Sequence, residues 1–192
     1  MPLQEDSQRQ ILRSLIQAGK PVPWRFIHDW RCYACGECCT RYLVELKPIE
    51  YAEIAHVYGY SYVTTNLGKV YLRRRPDGSC VFLYRANGRG LCSLQHMKPE
   101  ACRLWPFIPC ETPNFGYPEL AYYKYGRRLY YVYVVPACPG LSYGEPSERL
   151  REKVIPEILD MKFRGRTRQK YSTSSLGLGY PSRYPPLTIL RI

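Results

Sequence analysis

Four cysteines within eight residues, Cys32-Tyr-Ala-Cys35-Gly-Glu-Cys38-Cys39, constrain this chain more than any other feature of its sequence. Spacings of three residues place Cys32, Cys35 and Cys38 in one tight loop. Such a loop can wrap its sulfurs and amide N–H groups around one face of a cuboidal iron–sulfur cluster. The same spacing also suits a tetrahedral zinc ion, whose structural sites close with four Cys or His ligands. The spacing therefore predicts a metal site without choosing the metal.

The number of cysteines and the absence of an export signal indicate whether these residues are reduced thiols or disulfides. The chain has 9 cysteines in 192 residues, an odd count and a share well below the roughly 8–10% typical of disulfide scaffolds. No secretory signal is visible in the polar first residues, and no apolar run reaches the roughly 18 residues of a membrane helix. We therefore expect a soluble, cytoplasmic protein whose thiols are reduced and can bind metal. Disulfides stay open as an alternative, because intracellular proteins of hyperthermophiles contain them.

The adjacent pair Cys38-Cys39 bears on the number of metal sites. Successive side chains of an extended chain point to opposite faces, so two neighbouring thiolates do not easily bind one ion at tetrahedral angles. We therefore expect the two sulfurs to serve different sites. Enough distant cysteines exist to complete both sites, at positions 80, 92, 102, 110 and 138.

The order of these motifs resembles that of a known family. After the loop come Cys80-x-Phe-Leu, Cys92, Lys98-Pro99-x-x-Cys102-Arg103-x-x-Pro-Phe and Cys138-Pro-Gly. Over residues 27–142 the pattern is similar to that of the YkgJ-type cysteine-cluster family, the CxxCxxCC domain, to which zinc or iron chelation is attributed. The resemblance implies metal binding by Cys32, Cys35, Cys38, Cys39, Cys80, Cys92, Cys102 and Cys138. Cys110 lies outside the pattern and is not an implied ligand. A branch of the family is associated with lysine N-methylation of flagellin.

Two features favour an iron–sulfur cluster, with 4Fe–4S the expected form, over zinc. All eight implied ligands are cysteine, whereas zinc sites often include histidine. Aromatic and proline residues such as Trp30 and Trp105 flank them and would shield a cluster from water. Zinc stays open as the alternative metal or as the metal of a second site. The resemblance also makes Arg103 a candidate cofactor-binding residue that donates hydrogen bonds to cluster sulfur or to an anion, with a structural ion pair as its alternative role.

The rest of the sequence predicts an α+β fold, namely a small metal-stapled domain of short antiparallel hairpins with flanking helices. Helical patterns cover residues 7–18, 48–57 and 147–163, and Pro156 should kink the last of these helices. Turn signals at Asn87-Gly88 and at Gly126 separate strands of two hairpins. We expect residues 1–163 to form the metal-binding domain. Residues 164–192, rich in Tyr, Pro, Ser, Gly and basic residues, would form an extended or disordered tail.

The net charge of +12 favours an anionic partner. No acidic residue follows Asp160, and the basic residues beyond it are interspersed with tyrosines, as in proteins that bind single-stranded nucleic acid. We therefore expect association with RNA or the ribosome through the tail and no membrane partner; a solubilising tail without a fixed partner is the alternative.

Three functions stay open. The first is an iron–sulfur or zinc protein whose metal is structural, redox-active or sensing. The second is a zinc-stapled RNA- or ribosome-associated module. The third is an enzyme similar to protein-lysine N-methyltransferases, which only the family resemblance implies, because no nucleotide-binding fingerprint is present in the sequence.

Overall fold

The computed structural model describes residues 2–94, 97–166 and 168–172, with side chains from residue 6 onward. Helices and short antiparallel strand pairs confirm the predicted α+β class. The elements in chain order are α1 Pro2–Gln17, β1 Val22–Pro23, β2 Ile27–Trp30, α2 Glu37–Arg41, α3 Pro48–Tyr58, β3 Val63–Asn66, β4 Lys69–Leu72, β5 Leu83–Ala86, β6 Arg89–Cys92, α4 Glu100–Leu104, β7 Phe107–Cys110, α5 Pro118–Ala121, β8 Tyr122–Tyr125, β9 Arg128–Val134, β10 Leu141–Tyr143 and α6 Ile155–Phe163.

The largest sheet is built around β9, which pairs antiparallel with β1, β7 and β8. This strand is a run of β-branched and aromatic residues, the types that pack best on a pleated surface. The β8–β9 hairpin turns at Gly126, which has a positive φ of 61°, as the sequence predicts. Tyr130, Val132 and Val134 are buried on one face of β9, which packs against the larger of the two apolar cores.

Three smaller strand pairs complete the described structure: β3–β4, β5–β6 and β2–β10. The β5–β6 hairpin turns at Asn87 and Gly88, both with positive φ (50° and 72°), which is the backbone that a two-residue type I′ turn requires. The pairing of β2 with β10, Leu141 opposite Trp30, joins segments more than one hundred residues apart in the chain. No local pattern in the sequence predicts that contact.

Buried apolar side chains form two separate cores. The first core lies between α1, the β9 sheet and α6, and includes Trp30, Leu104 and Phe107. The second core lies between α3 and the β3–β4 and β5–β6 hairpins, and contains Leu46, Ile54, Val63, Leu72, Cys80, Phe82, Leu83 and Leu94. Cysteines lie at the edges of both cores, so the candidate site is positioned where the two cores meet.

The last helix begins with a π-helical turn, Leu150–Val154, in place of a simple kink at Pro156. A proline has no N–H to donate, so a wider turn ahead of it accommodates the missing hydrogen bond. The Ser147 hydroxyl accepts a hydrogen bond from the Leu150 N–H at 3.1 Å, as expected for the residue that caps this helix.

The described part of the predicted tail packs against α6. The buried Glu157 carboxylate accepts hydrogen bonds from the backbone N–H groups of Lys170, Tyr171 and Ser172 at 2.6–3.1 Å. Residues 173–192 lie outside the described residues, and the boundary after residue 163 stays a prediction. Among the described helices, none combines the length and the apolar character that a membrane span requires.

We expect Glu157→Gln to lower the free energy of unfolding by about 1–3 kcal/mol, because an amide NH₂ replaces one of the acceptor oxygens opposite buried N–H groups. Urea denaturation followed by circular dichroism measures the change. Glu53→Gln, an exposed residue of α3, is the matched control. Equal midpoints for the two variants would show that the 170–172 segment does not stabilise the domain.

Candidate metal centre

One cavity of about 630 Å³ gathers cysteines from five separate parts of the chain. Its walls include every cysteine that the family resemblance implies as a ligand, and we call these the cavity cysteines: Cys32, Cys35, Cys38, Cys39, Cys80, Cys92, Cys102 and Cys138. All nine cysteines of the chain are free thiols, so the disulfide alternative has no support in the structure. Cys110 is not among the residues that line the cavity.

Residues 32–39 reach the cavity through a loop with two left-handed residues. Ala34 has φ 53° and Gly36 has φ 79°, and these values turn the chain back on itself. Gly36 lies against Gly90 of β6, and the Gly90 N–H donates to the Ala34 carbonyl at 2.5 Å. The loop is thereby held against the hairpin that carries Cys92. The close approach depends on the absence of a side chain at Gly90, and the positive φ of Gly36 is a conformation that glycine adopts without strain.

The adjacent cysteines occupy a helical turn, because Cys38 and Cys39 both belong to α2. The premise of an extended chain at this pair is therefore wrong, and the two sulfurs lie on the same side, 3.8 Å apart. A zinc ion with Zn–S bonds of about 2.3 Å holds its sulfurs about 3.8 Å apart. The measured separation suits two ligands of one ion as well as two sulfurs that face neighbouring sites. The assignment of this pair to different sites stays a prediction.

The sulfur of Cys138 accepts a hydrogen bond from the buried indole of Trp30. The Trp30 Nε1 lies 3.4 Å from the Cys138 Sγ, and the Trp30 ring packs edge-on against Phe107 at 5.5 Å between centroids. Burial raises the pKa of the Cys138 thiol, and the Trp30 hydrogen bond offsets part of that rise. The sequence suggested Trp30 only as a shield against water; its donor role depends on the tertiary contact.

Burial dominates the ionisation of most of the other cavity thiols. Removal from water raises the pKa of Cys32, Cys80, Cys92 and Cys102. A cavity thiol loses its proton when it binds a metal ion, so metal binding at neutral pH must release protons. The sulfurs also raise one another's pKa, since several thiolates this close repel unless a cation lies between them.

The Cys38–Cys39 pair differs from the other thiols because one sulfur stabilises the other. The two side chains share a hydrogen bond between sulfurs 3.8 Å apart, which lowers the pKa of Cys38 to about 7. The same hydrogen bond raises the pKa of Cys39. Within this pair, Cys38 therefore loses its proton more readily than Cys39.

Lys98 supplies positive charge to the wall of the cavity. Its ammonium group lowers the pKa of Cys32, Cys38, Cys92 and Cys102, against the effect of burial in all four. In the sequence Lys98 is recognisable only as part of a motif. That its charge lies near four cysteines depends on the tertiary structure, so the sequence analysis missed this electrostatic role.

A second group of charges joins three helices at another part of the cavity wall. The Glu100 carboxylate binds Lys47 at 2.5 Å and Lys162 at 2.9 Å, and the Glu50 carboxylate accepts from the Glu100 N–H at 2.7 Å. Burial raises the pKa of Glu100, but the two lysines lower it by a larger amount, so the pKa lies below its usual value. These contacts link α4, which carries Cys102, to α3 and α6.

The cavity cysteines surround a shared space, not a single point. In residues 2–94, 97–166 and 168–172, no three His, Cys, Asp or Glu side chains are grouped so that they could hold one metal ion. A single ion would therefore require thiol side chains to rotate inward.

Arg103 lies outside the cavity wall. Its backbone carbonyl accepts a hydrogen bond from the Gln169 side chain at 2.9 Å, so this residue contacts the segment that follows α6. Its role in binding a cofactor stays a prediction.

A family profile, CxxCxxCC, described as "Putative zinc- or iron-chelating domain", matches residues 31–134. The match covers more than half of the 192-residue chain and includes seven of the eight cavity cysteines. Cys138 lies beyond the matched residues, and the tertiary structure brings it to the same cavity. No curated protein and no solved structure matches the chain.

We expect Gly90→Ala to separate the 32–39 loop from β6 and to reduce metal retention. A Cβ at this position would lie 2.7 Å from the Gly36 Cα, a distance at which the backbone must shift. Metal content per chain and thermal unfolding of the purified protein measure the effect, and a destabilisation of about 1–3 kcal/mol is expected for such overpacking.

Gly116→Ala is the control for this substitution. Gly116 has a positive φ of 80° with no atom near its would-be Cβ, so the variant carries backbone strain but meets no neighbour. It should lose stability without losing metal. Full metal retention by Gly90→Ala would contradict the importance of the Gly36–Gly90 contact.

Proposed function

Because this chain belongs to the CxxCxxCC family, we propose that its cavity cysteines hold an iron–sulfur cluster. The observation that carries the proposal is the convergence of eight thiol sulfurs on one cavity of about 630 Å³. Four sulfurs around one zinc ion form a tetrahedron only about 3.8 Å on an edge, which leaves little space between them. A cavity bounded by many separated thiols suits a group made of several irons and inorganic sulfides.

The walls of the cavity have the properties that such a cluster needs. Trp105, Pro106, Phe107 and Pro139 line it with apolar surface that excludes water. The Trp30 indole donates to one sulfur, and Lys98 offsets negative charge. Hydrogen bonds to ligand sulfurs and exclusion of solvent are the means by which a protein sets a cluster's reduction potential. A bound cluster would supply one-electron redox chemistry at this position.

The metal would also stabilise the fold. Cys32 and Cys138 pack against the first core, whereas Cys39, Cys80 and Cys92 belong to the second. A metal group held by both sets would fasten the two cores to each other, and its binding free energy would contribute directly to folding.

Protein purified without oxygen should be brown, with broad visible absorbance and with iron and acid-labile sulfide in comparable amounts. Elemental analysis and sulfide assay of fresh protein measure this. Cys110→Ser, outside the cavity, should leave the content unchanged, whereas Cys35→Ser should lower it at least about tenfold, as loss of a ligand costs no less than loss of an outer-shell partner. Colourless protein with stoichiometric zinc would overturn the iron–sulfur proposal in favour of a zinc-only centre.

A zinc-only centre is the competing form, and the 3.8 Å separation between the Cys38 and Cys39 sulfurs is compatible with it. In that form the metal would be structural and inert to redox change. Methyl transfer to a protein lysine and location in the cytoplasm stay predictions.

A second candidate function concerns the basic residues after α6. Arg164, Arg166, Arg168 and Lys170 are all exposed. Asp160 lies within 3.5 Å of the first two, so part of their charge is already balanced. We propose that Arg168 and Lys170 contribute to binding of RNA, in line with the net charge of +12.

Binding of a single-stranded RNA across a salt series tests this second candidate. The double variant Arg168→Gln with Lys170→Gln should weaken binding and reduce the slope of log affinity against log salt by about 1.4, at about 0.7 per phosphate contact. Arg9→Gln with Lys20→Gln, two exposed residues of the N-terminal segment, removes the same charge elsewhere. Equal effects of the two double variants would show only a general dependence on net charge.

A further inference from the structure

The cavity cysteines divide into two sets by the core against which they pack. Cys32 and Cys138 pack against the first core, and the Cys138 sulfur accepts a hydrogen bond from Trp30 of that core. Cys80 is itself part of the second core, and Cys39 and Cys92 pack against it. Because the two cores are separate groups of side chains, each set is held in place by its own packing.

Backbone contacts tie together the members of the first set. The N–H of Arg31, next to Cys32, donates to the Gly140 carbonyl at 3.0 Å. A Cβ on Gly140 would overlap the Arg31 carbonyl, so only glycine permits this approach. The β2–β10 pairing continues the contact, and together these fix Cys32 close to Cys138.

The second set has its own backbone ties. The Cys80 N–H donates to the Cys39 carbonyl at 2.8 Å, and the Leu83 N–H donates to the Cys80 carbonyl at 3.0 Å. Leu83 pairs with Cys92 across the β5–β6 hairpin. These three contacts link Cys39, Cys80 and Cys92 in sequence, without a residue of the first core.

The remaining three cysteines can be assigned from spacing and proximity. Cys35 and Cys38 follow Cys32 at intervals of three, the loop that wraps a cuboidal cluster, and Cys138 precedes a proline as the remote ligand of such loops does. Cys102, on α4, is the one cavity cysteine that remains to complete the second set. The Glu100 N–H of α4 donates to the Glu50 carboxylate of α3, and α3 packs on the second core through Ile54.

We infer that the cavity holds two adjacent metal sites, one formed by Cys32, Cys35, Cys38 and Cys138 and the other by Cys39, Cys80, Cys92 and Cys102. The inference rests on the proposed function for the first site, which takes the iron–sulfur cluster. It adds a four-thiolate zinc ion at the second site, around which the thiol side chains would rotate inward. The sites meet at the Cys38–Cys39 peptide, where the two sulfurs are 3.8 Å apart.

Zinc suits the second site because the core around it is small. In the described part of the chain, eight buried side chains form the second core and seventeen form the first. Small cores seldom stabilise a fold alone and are commonly reinforced by a structural metal. A closed set of four cysteines is the usual ligand set of a structural zinc ion.

Separate substitution of the adjacent residues Cys38 and Cys39 provides the sharpest test of the two-site division. In the full-length protein purified without oxygen, Cys38→Ser should lower the iron and sulfide content at least about tenfold and leave one zinc per chain, whereas Cys39→Ser should do the reverse. Elemental analysis with visible absorbance measures both metals, and Cys110→Ser is the control. Far-UV circular dichroism of each variant checks that the domain is folded.

Other outcomes also decide the inference. If Cys38→Ser and Cys39→Ser lose the same metal to the same extent, or if the wild-type protein holds iron without zinc, the two-site division is overturned. A wild-type protein with two zinc ions and no iron would refute the cluster but support the division, provided that each variant loses one of the two ions. The pair Cys35→Ser and Cys92→Ser repeats the comparison, so the result does not depend on one variant that folds poorly.

Discussion

The burial of eight cysteine thiols around one cavity is the constraint on which the rest of this structure depends. Eight cysteines line one cavity, and burial alone raises the pKa of most of them. Such a group cannot lose its protons together unless positive charge enters the cavity, and Lys98 supplies only one unit. Metal cations are the charges that thiolates bind most strongly, so the arrangement makes sense as the inner wall of a metal centre.

The rest of the fold can be understood as the means of bringing those sulfurs together. Neither core contains the whole set, because Cys32 and Cys138 lie with the larger core and Cys80 lies within the smaller one. Close backbone approaches at Gly36–Gly90 and Arg31–Gly140 bring the loops that carry the sulfurs into contact. The Glu100 ion pairs with Lys47 and Lys162 then connect α4 to its neighbours. These contacts join several short helices and hairpins around the one cavity.

The different chemical settings of the cysteines suggest different roles within that centre. Cys138 receives a hydrogen bond from an indole, a feature that matters most for a redox-active group. Cys80 is buried among aliphatic side chains, a setting that suits a metal with a structural role. Cys110 lies on β7 outside the cavity, in agreement with its absence from the family motif.

Local patterns in the sequence were sufficient for the helix at α3, the hairpins at Asn87-Gly88 and Gly126 and the Ser147 cap, because each depends on residues close together in the chain. The set of cysteine ligands is implied by the family resemblance and stays a prediction. Tertiary structure decided the features that depend on distant residues. The Cys38–Cys39 pair was expected in an extended chain, but contacts with the Cys80 segment accompany a helical turn there. Three further features likewise depend on contacts between distant segments: the Trp30–Cys138 hydrogen bond, the charge of Lys98 near four thiols and the division between two cores. No periodicity in the sequence encodes such contacts.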